Sequence, residues 1–339
     1  MLNVLELQTR LVSCALPSGF ESRQAKVLAE LARPYADEVM IDTLGNVICH
    51  RKGPGKRLML PAHMDVIGFM VTFLDEHGYV RFEPLGGHLA AALIGTPVVF
   101  ENGARGAIFS DAEVDPAKNK ITEIDIHDLY IDVGAADRAE AERLCPVGSV
   151  CTFDYAPAAV AGGCMMTPYA DNLASCIALL IAMSEVKAPA NDLWFVFSVQ
   201  EELGLRGAKA AAWRIEPDLG IAVDLTLTGD SPAESDNARM VTKVGAGPAI
   251  KIKDSSLLCN PQVIAHLRAA AKKAHISYQD EVLPAGGTDS AAMQRSREGV
   301  LSGCVSIPGR NIHTPGEIVS IKDVEQAGRL LAAACELPF

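Results

Sequence analysis

The sequence predicts an α/β fold with a mostly parallel central sheet flanked by helices and an inserted, smaller β-rich domain. Helix-like and strand-like segments alternate at the start of the chain and again after about residue 158. Between residues 68 and 157, short strand-like runs are broken by Gly, Pro, Asn and Asp. We therefore expect one discontinuous α/β domain, residues 1–67 and 158–339, interrupted by a domain at 68–157. Two consecutive domains are the alternative.

The first α/β segment begins with two helices and continues with three short strands. In the second helix, Ala25, Leu28, Ala29 and Ala32 have the spacing of one helical face. Turn-forming residues at 44–46 and 52–55 separate the strands. The predicted helices are 4–15 and 22–34, and the predicted strands are 39–42, 47–50 and 57–62.

The rest of the chain divides into the β-rich insertion and a second α/β segment. The insertion has strand-like runs at 79–82, 97–100, 105–109, 129–133 and 149–153, with one helix at 135–144. The second α/β segment alternates helices with longer apolar strands. Its predicted helices are 173–184, 205–213, 261–274 and 322–335, and its predicted strands are one ending at Glu201, 219–224 and 300–307.

The composition argues against a nucleic-acid-binding protein. The 339 residues are 49% hydrophobic and 21% charged, which is typical of a globular protein with a large core. A formal charge of −12 disfavours a nucleic-acid surface, because that surface needs clustered Lys and Arg. A small, neutral or peptide-like substrate is a better match.

The cysteines and the N-terminus predict a cytoplasmic protein. The nine cysteines are an odd number, contain no C-x-x-C pair and lie mostly in apolar stretches, as expected in a reducing compartment. Residues 1–8 lack the features of a signal peptide, and no uncharged apolar run approaches the roughly 20 residues of a membrane helix. We expect neither export nor membrane insertion.

Glu201 and Glu202 are the most informative residues for chemistry. They follow the apolar run at 193–199 directly. Adjacent carboxylates that leave a buried strand point in different directions, so that one can hold a metal while the other faces a water molecule on that metal.

Four further polar residues lie at predicted strand ends or helix starts. His63 follows the strand at 57–62, and Asp65 can hold one nitrogen of its ring. Asp171 precedes a helix, Asp224 closes a strand, and His313 follows the run that ends at Ile307. Each residue alone has an ordinary explanation, such as a helix cap for Asp171 or a surface position for His313.

The combination changes this interpretation, because parallel strands bring their carboxyl ends to one edge of a sheet. Histidine nitrogens and carboxylate oxygens are ligands suited to Zn, Co or Mn. With one bridging Asp they are typical of a pair of metal ions about 3.5–4 Å apart. We expect zinc, with cobalt and manganese as alternatives.

Several short motifs occur in a fixed order along nearly the whole chain. The principal motifs are His63-x-Asp65, Asp171-Asn172, Glu201-Glu202-x-Gly204, Asp224 and His313-Thr314-Pro315. Further motifs that support them are Pro17-Ser18-Gly19-x-Glu21, Asp42-x-x-Gly45-Asn46, Gly86-Gly87-His88 and Gly286-Gly287-Thr288-Asp289. This order resembles the dinuclear metallo-aminopeptidases of the tetrahedral-assembly family, which includes glutamyl and deblocking aminopeptidases.

The resemblance implies a role for each residue of the site. One metal is bound by His63 and Asp224, the other by Glu202 and His313, and Asp171 bridges them. Glu201 is then the general base, and Asp65 is the partner of the His63 ring.

The resemblance also implies an activity and an assembly. The enzyme removes N-terminal residues from short peptides with a water molecule activated by two metals, and Glu201 returns the proton to the departing amine. The inserted domain is a dimerisation domain, and the homo-oligomer is a dodecamer built from dimers. Apart from the resemblance, Thr288 and Asp289 are candidates for the pocket because they follow a Gly-Gly pair, although a helix N-cap explains Asp289 at least as well.

Two positions depart from the family pattern, and other functions remain open. Leu173 and Ser175 stand where many members have a basic residue and a glycine, which affects the expected shape of the substrate pocket. A deacylase or dipeptidase of the same co-catalytic-zinc group would use a similar ligand set. A metal-independent glycosidase or a non-catalytic assembly protein would leave most of these polar residues unexplained.

Overall fold

The computed structural model describes residues 2–111, 124–232 and 240–339. The helices in these ranges are α1 (Val4–Val12), α2 (Ser22–Ala32), α3 (Arg138–Leu144), α4 (Ala170–Glu185), α5 (Arg206–Ile215), α6 (Pro261–Ala274), α7 (Asp289–Gln294) and α8 (Ile321–Cys335). The strands are β1 (Glu38–Ile41), β2 (Val47–Arg51), β3 (Arg57–His63), β4 (Gly68–Leu74), β5 (Val80–Leu85), β6 (Pro97–Phe100), β7 (Arg105–Ser110), β8 (Leu129–Asp132), β9 (Val150–Phe153), β10 (Ala158–Val160), β11 (Cys164–Thr167), β12 (Asp192–Ser198), β13 (Leu219–Thr226), β14 (Ala249–Lys253), β15 (Gln279–Val282), β16 (Leu301–Arg310) and β17 (Glu317–Ser320).

A large central sheet organises the α/β part of the molecule. Its strand order is β1-β2-β12-β3-β13-β16-β17-β11-β10, and β14 and β15 extend from β16. The four middle strands, β12, β3, β13 and β16, are parallel, and the outer strands of the main path are antiparallel. The predicted α/β class with a mostly parallel central sheet is confirmed.

Helices cover both faces of the sheet because its middle strands are apolar on both sides. In β3, Leu58 and Leu60 pack into the core with α4, whereas Met59 between them packs with α5 and α7 on the opposite face. The long helix α4 is buried along nearly its whole length, between the sheet and α1 and α8. This enclosure fixes the first turn of α4 against the sheet edge.

The region between β3 and β10 contains a closed barrel. Its strands follow the order β4-β5-β8-β7-β6-β9, and all of its strand pairs are antiparallel. Closure gives every one of these strands two neighbours, which removes the exposed edges that a small sheet would have. Phe69 packs edge-on against Phe82 and Phe153 in its interior.

Three strands of the central sheet end two or three residues away from their predicted ends. Strand β12 ends at Ser198 rather than Glu201, because its partner β3 ends opposite it at His63 and the chain turns at Gln200, where φ is 53°. Strand β13 continues to Thr226, so Asp224 lies within the strand. Strand β16 continues to Arg310 because its last residues pair with β17.

Several short elements were not predicted from the sequence. They are β4, β10, β11, β14, β15, β17 and α7. Most are only three to six residues long, too short to show a clear periodicity. None of the helices in the described part of the chain has the length and apolarity that crossing a bilayer requires.

Candidate metal centre

Six of the seven predicted site residues line one cavity of about 320 Å³ at the carboxyl edge of the parallel strands. His63 ends β3, Asp224 lies near the end of β13, and Asp171 lies in the irregular first turn of α4. Glu201 and Glu202 occupy the turn after β12, and His313 follows β16. The topology therefore brings together residues that are far apart in the chain.

The first half of the site contains His63, Asp171 and Asp224. His63 Nε2 lies 3.3 Å from Asp171 Oδ1 and 3.7 Å from Asp224 Oδ1. One ligand atom from each of the three residues lies within 4.8 Å of the others. Both carboxylates are largely buried, and His63 is 2% exposed.

The second half contains Asp171, Glu202 and His313. His313 Nε2 lies 3.1 Å from Glu202 Oε1 and 3.6 Å from Asp171 Oδ2. The three residues form a second group whose ligand atoms lie within 4.8 Å of one another. Asp171 thus belongs to both groups, with one oxygen facing each histidine.

The donor set fits divalent cations. Asp171 Oδ1 is buried, and in the described part of the chain no hydrogen bond reaches it, although His63 Nε2 is near. A buried carboxylate oxygen without a hydrogen bond is costly unless a cation occupies the space beside it. Imidazole nitrogen and carboxylate oxygen are the ligands that zinc and related metals accept.

Glu201 lies beside these groups. Its Oε2 is 3.9 Å from His63 Nε2, and a third possible group joins it to His63 and Glu202. Burial raises the pKa of the Glu201 carboxyl well above its usual value; His63 opposes this shift, and Asp224 adds to it. A carboxyl group with a raised pKa can accept a proton and later return it.

The two histidines show how strongly negative the cavity is. Burial opposes protonation of His313, but Asp171 and Glu202 raise its pKa to about 11. His63 follows the same pattern: burial opposes protonation, and carboxylates led by Glu201 raise its pKa well above the usual value. Without a cation, both histidine rings are therefore expected to be protonated.

Asp65 lies behind the cavity and organises the turn that carries the two glutamates. Its Oδ1 accepts a hydrogen bond from the main-chain N–H of Glu201 over 3.0 Å, and its Oδ2 accepts one from that of Glu202 over 3.2 Å. The His63 ring is nearer to the main-chain oxygen of Asp65, at 3.1 Å from Nδ1, than to its carboxylate, at 3.6 Å. The carboxylate thus accepts hydrogen bonds from the backbone of Glu201 and Glu202 and, over 2.5 Å, from the Ser18 hydroxyl.

Glu317 also contacts the site, although sequence reasoning did not identify it. Its carboxylate is buried and accepts hydrogen bonds from the main-chain N–H groups of Asp171 and His313. The only sequence signal is its position four residues after His313, at the start of a short strand.

Two glycines of the segment after β5 approach the cavity from the barrel side. A Cβ at Gly86 would lie 2.6 Å from Ile67 Cγ2 and 3.1 Å from Glu202 Oε2. A Cβ at Gly87 would lie 3.1 Å from His313 Nδ1. Gly86 requires glycine because its φ is 87° and a Cβ would clash with Ile67, whereas a Cβ at Gly87 would be in tight contact with His313.

Thr288 and Asp289 do not line the cavity. The Thr288 side chain caps α7 by accepting a hydrogen bond from the main-chain N–H of Ser290. The N-cap of this helix is therefore Thr288, whereas the sequence suggested Asp289. Asp289 is buried and receives a hydrogen bond from the Ser198 hydroxyl. Leu173 and Ser175 are also buried, inside α4.

Comparison with known proteins gives the family of the chain. A family model described as M42 glutamyl aminopeptidase matches residues 45–330. The chain belongs to the M42 glutamyl aminopeptidase family. The predicted resemblance is confirmed, and so is the broader expectation of an aminopeptidase, a hydrolase.

Individual M42 relatives match almost end to end. A lysyl aminopeptidase of Pyrococcus furiosus is 34% identical over 339 residues, which cover 98% of this chain and 96% of the relative. The structure of aminopeptidase APDkam598 from Desulfurococcus kamchatkensis has a TM-score of 0.93 at 34% identity, covering 98% of this chain and 94% of that chain. The TET1 peptidase of Pyrococcus horikoshii, described as assembling into a tetrahedron or a large octahedral shell, has a TM-score of 0.85 at 27% identity, with coverage of 98% and 99%.

Proposed function

We propose that this M42 aminopeptidase removes N-terminal residues from short peptides by using two divalent cations and Glu201 as general base. The observation that carries the proposal is the position of Asp171, whose two oxygens face His63 at 3.3 Å and His313 at 3.6 Å. His63, Asp224 and one oxygen of Asp171 would hold the first cation. Glu202, His313 and the other Asp171 oxygen would hold the second. Zinc is the proposed metal, with cobalt and manganese as alternatives.

Each protein group has a defined part in the reaction. Bound cations would supply the Lewis acidity that activates a water molecule and polarises the scissile carbonyl. Glu201 accepts the proton of the attacking water and then donates it to the departing amine. Asp65 holds the main chain of Glu201 and Glu202, so that the general base and a ligand keep a fixed relation.

Family membership favours an aminopeptidase over the deacylase alternative, because the matching family model and the Pyrococcus furiosus relative are both described as aminopeptidases. Four carboxylates line the cavity, and none of the lining residues in the described ranges is Lys or Arg. Two divalent cations would offset the charge of these four carboxylates, so the charge of the loaded cavity does not separate the two substrates.

The same proposal extends to the assembly. We assign residues 1–67 and 158–339 to the catalytic domain and the inserted residues 68–157 to a dimerisation domain. The TET1 relative can assemble into a tetrahedron or a large octahedral shell, which supports a homo-oligomer. The proposed state of this chain is a dodecamer built from dimers. All nine cysteines are free, which is consistent with the cytoplasm as the proposed compartment.

Chelation and reconstitution test the function. Protein treated with EDTA is expected to lose hydrolysis of leucyl-p-nitroanilide and to regain it after addition of zinc, cobalt or manganese. Hydrolysis of N-acetyl-leucine is expected to stay at background throughout. Full peptide cleavage by demetallated protein would contradict the proposal, and preferred cleavage of N-acetyl-leucine would favour the deacylase.

A further inference from the structure

Outside the proposed ligands, the wall of the cavity is mainly aliphatic. Its side chains are those of Leu225, Leu227, Leu283 and Ile312, with Thr226 as the polar member. Among the described residues that line the cavity, the proposed ligands and Glu201 are the ones with ionisable side chains. In the described part of the chain, this wall offers a substrate side chain hydrocarbon and no charged partner.

The charged groups behind the wall are already paired with one another. The Thr226 hydroxyl donates a hydrogen bond to Glu281 Oε1 over 2.6 Å. Glu281 is 1% exposed, and its Oε1 lies 3.1 Å from Lys251 Nζ, which also lies 3.4 Å from Asp254 Oδ2. Neither Glu281 nor Lys251 is therefore available to balance a charge on a substrate.

The arginine nearest to His313 in the chain is paired as well. Arg310 Nε donates a hydrogen bond to Asp230 Oδ1 over 3.1 Å, and its Nη2 contacts the other oxygen of the same carboxylate. This two-point pairing orients the guanidinium toward Asp230. An acidic substrate side chain would have to break it to gain a partner.

We propose that the preferred N-terminal residue of the substrate is neutral and aliphatic, as in leucine or methionine, rather than acidic or basic. This inference rests on the proposed aminopeptidase function. An aliphatic side chain gains free energy in proportion to the apolar area it buries, whereas a charged one loses hydration without a partner. Family membership does not decide the question, because the family is described as glutamyl and the Pyrococcus furiosus relative as lysyl.

A panel of four tripeptides tests this preference on the full-length, metal-loaded enzyme. Leu-Gly-Gly and Met-Gly-Gly are expected to have kcat/KM values at least about tenfold above those of Glu-Gly-Gly and Lys-Gly-Gly. A value for the Glu or Lys peptide equal to or above that of the Leu peptide would overturn the inference and leave the aminopeptidase function standing. Cleavage of none of the four peptides would refute the proposed function, and this inference with it.

A charge placed on the wall tests the location. Leu227 is 45% exposed, so Leu227→Lys can be accommodated without burying a charge in the core. This variant is expected to raise the kcat/KM ratio of the Glu peptide to the Leu peptide by about tenfold or more. The matched control Leu258→Lys adds the same charge at a 66% exposed leucine that does not line the cavity, and should keep the wild-type ranking. An unchanged ratio in Leu227→Lys, or an equal change in both variants, would contradict the proposal that this wall contacts the N-terminal side chain of the substrate. The panel on the wild-type enzyme does not depend on the folding of either variant.

Discussion

Glu317 Oε2 accepts a hydrogen bond from the main-chain N–H of Asp171 over 2.9 Å, while its Oε1 accepts one from the N–H of His313 over 2.8 Å. Both N–H groups belong to irregular backbone: Asp171 has non-helical dihedral angles at the start of α4, and His313 has a φ of 65°. One buried carboxylate thus accepts hydrogen bonds from two main-chain N–H groups that are not paired within a helix or a sheet. It also sets the spacing between the proposed bridging ligand and a ligand of the second cation.

Replacing Glu317 with glutamine is expected to weaken metal binding. The amide keeps one acceptor oxygen, so one of the two N–H groups loses its partner and the backbone of Asp171 or His313 is released. We expect a loss of about 10–100-fold in metal affinity, as is common when a group that orients a ligand is changed. Titration of zinc into the metal-free protein measures this directly, and kcat should fall more than KM rises.

Glu336→Gln is the control for that substitution. Glu336 also accepts hydrogen bonds from two main-chain N–H groups, those of Lys187 and Ala188, but it does not line the metal cavity. Its variant should bind zinc as the wild type does. Equal loss of affinity in both variants, or wild-type affinity in Glu317→Gln, would show that Glu317 does not position the ligands. If Glu317→Gln does not fold, Glu317→Asp, which keeps two acceptor oxygens on a shorter side chain, should give an intermediate affinity.

Glu201 and Glu202 are expected to respond differently to the same substitution. Glu201→Gln should still bind two cations but lose about 10²–10⁴-fold in kcat, because the amide cannot accept the proton. Glu202→Gln should lose metal first, because Glu202 Oε1 lies 3.1 Å from His313 Nε2 within the second group. Metal content by mass spectrometry and turnover of a leucyl peptide distinguish the two. Near-normal turnover of fully loaded Glu201→Gln would exclude the proposed base.

The location of the candidate site could be predicted from the sequence, because the carboxyl ends of parallel strands meet at one edge. His63, Asp224 and His313 could be placed there from the apolar runs before them. The positioning groups were not predictable. Glu317 acts on main-chain N–H groups that become neighbours only when β17 pairs beside β16 and β11, and no local pattern reports such a contact.

Parts of the fold were also beyond local patterns. Strand β15 reads Gln-Asp-Glu-Val, with three polar residues in a row, and its position depends on parallel pairing with β14 rather than on alternation. The barrel strands were visible as short apolar runs, but their order around the barrel depends on long-range pairing, such as that of β4 with β9. The carboxyl end of β12 was misplaced by three residues because the turn at Gln200 depends on contacts with Glu21 and Asn46.

Metal affinity is expected to rise with pH. In the metal-free protein, neighbouring carboxylates overcome the effect of burial and raise the pKa of His313 to about 11, and that of His63 well above its usual value. Both rings must lose a proton to bind a cation, so protons compete with metal, and lowering the pH favours the protons. His88 adds nothing here, because burial lowers its pKa to about 4.

Calorimetry can count the protons that metal displaces. Zinc titrations at pH 7, in buffers of different ionisation enthalpy, should show release of at least two protons for each pair of cations, one from each histidine, with a further contribution from Glu201, whose pKa is also raised. The same titrations between pH 6 and pH 8 should give tighter binding at each higher pH. An affinity that is independent of pH over that range would contradict the assignment of His63 and His313 as ligands.

The buried charges behind the aliphatic wall carry a stability prediction. Lys251, Asp254 and Glu281 are each about 1% exposed, and a single ammonium group is shared by the two carboxylates at 3.4 and 3.1 Å. Lys251→Met keeps the length of the side chain but leaves two buried carboxylates without a counter-charge. Because removing one partner of a buried ion pair leaves the other desolvated, we expect a loss of about 3–5 kcal/mol in the free energy of unfolding.

Thermal unfolding of the metal-loaded protein measures this loss, and Lys52→Met provides the matched control. Lys52 Nζ lies 3.1 Å from Glu38 Oε1, the same separation as that between Lys251 and Glu281, but both partners are exposed to solvent. Water can hydrate Glu38 as soon as Lys52 is removed, so Tm should stay at the wild-type value. A clear decrease in Tm for Lys251→Met alone would show that burial, rather than the distance between the charges, makes the lysine essential. Equal Tm values for the two variants would mean that water reaches Glu281 and Asp254 in the folded protein. Solvent would then also reach Leu225 and Leu283 from the side that faces away from the cavity.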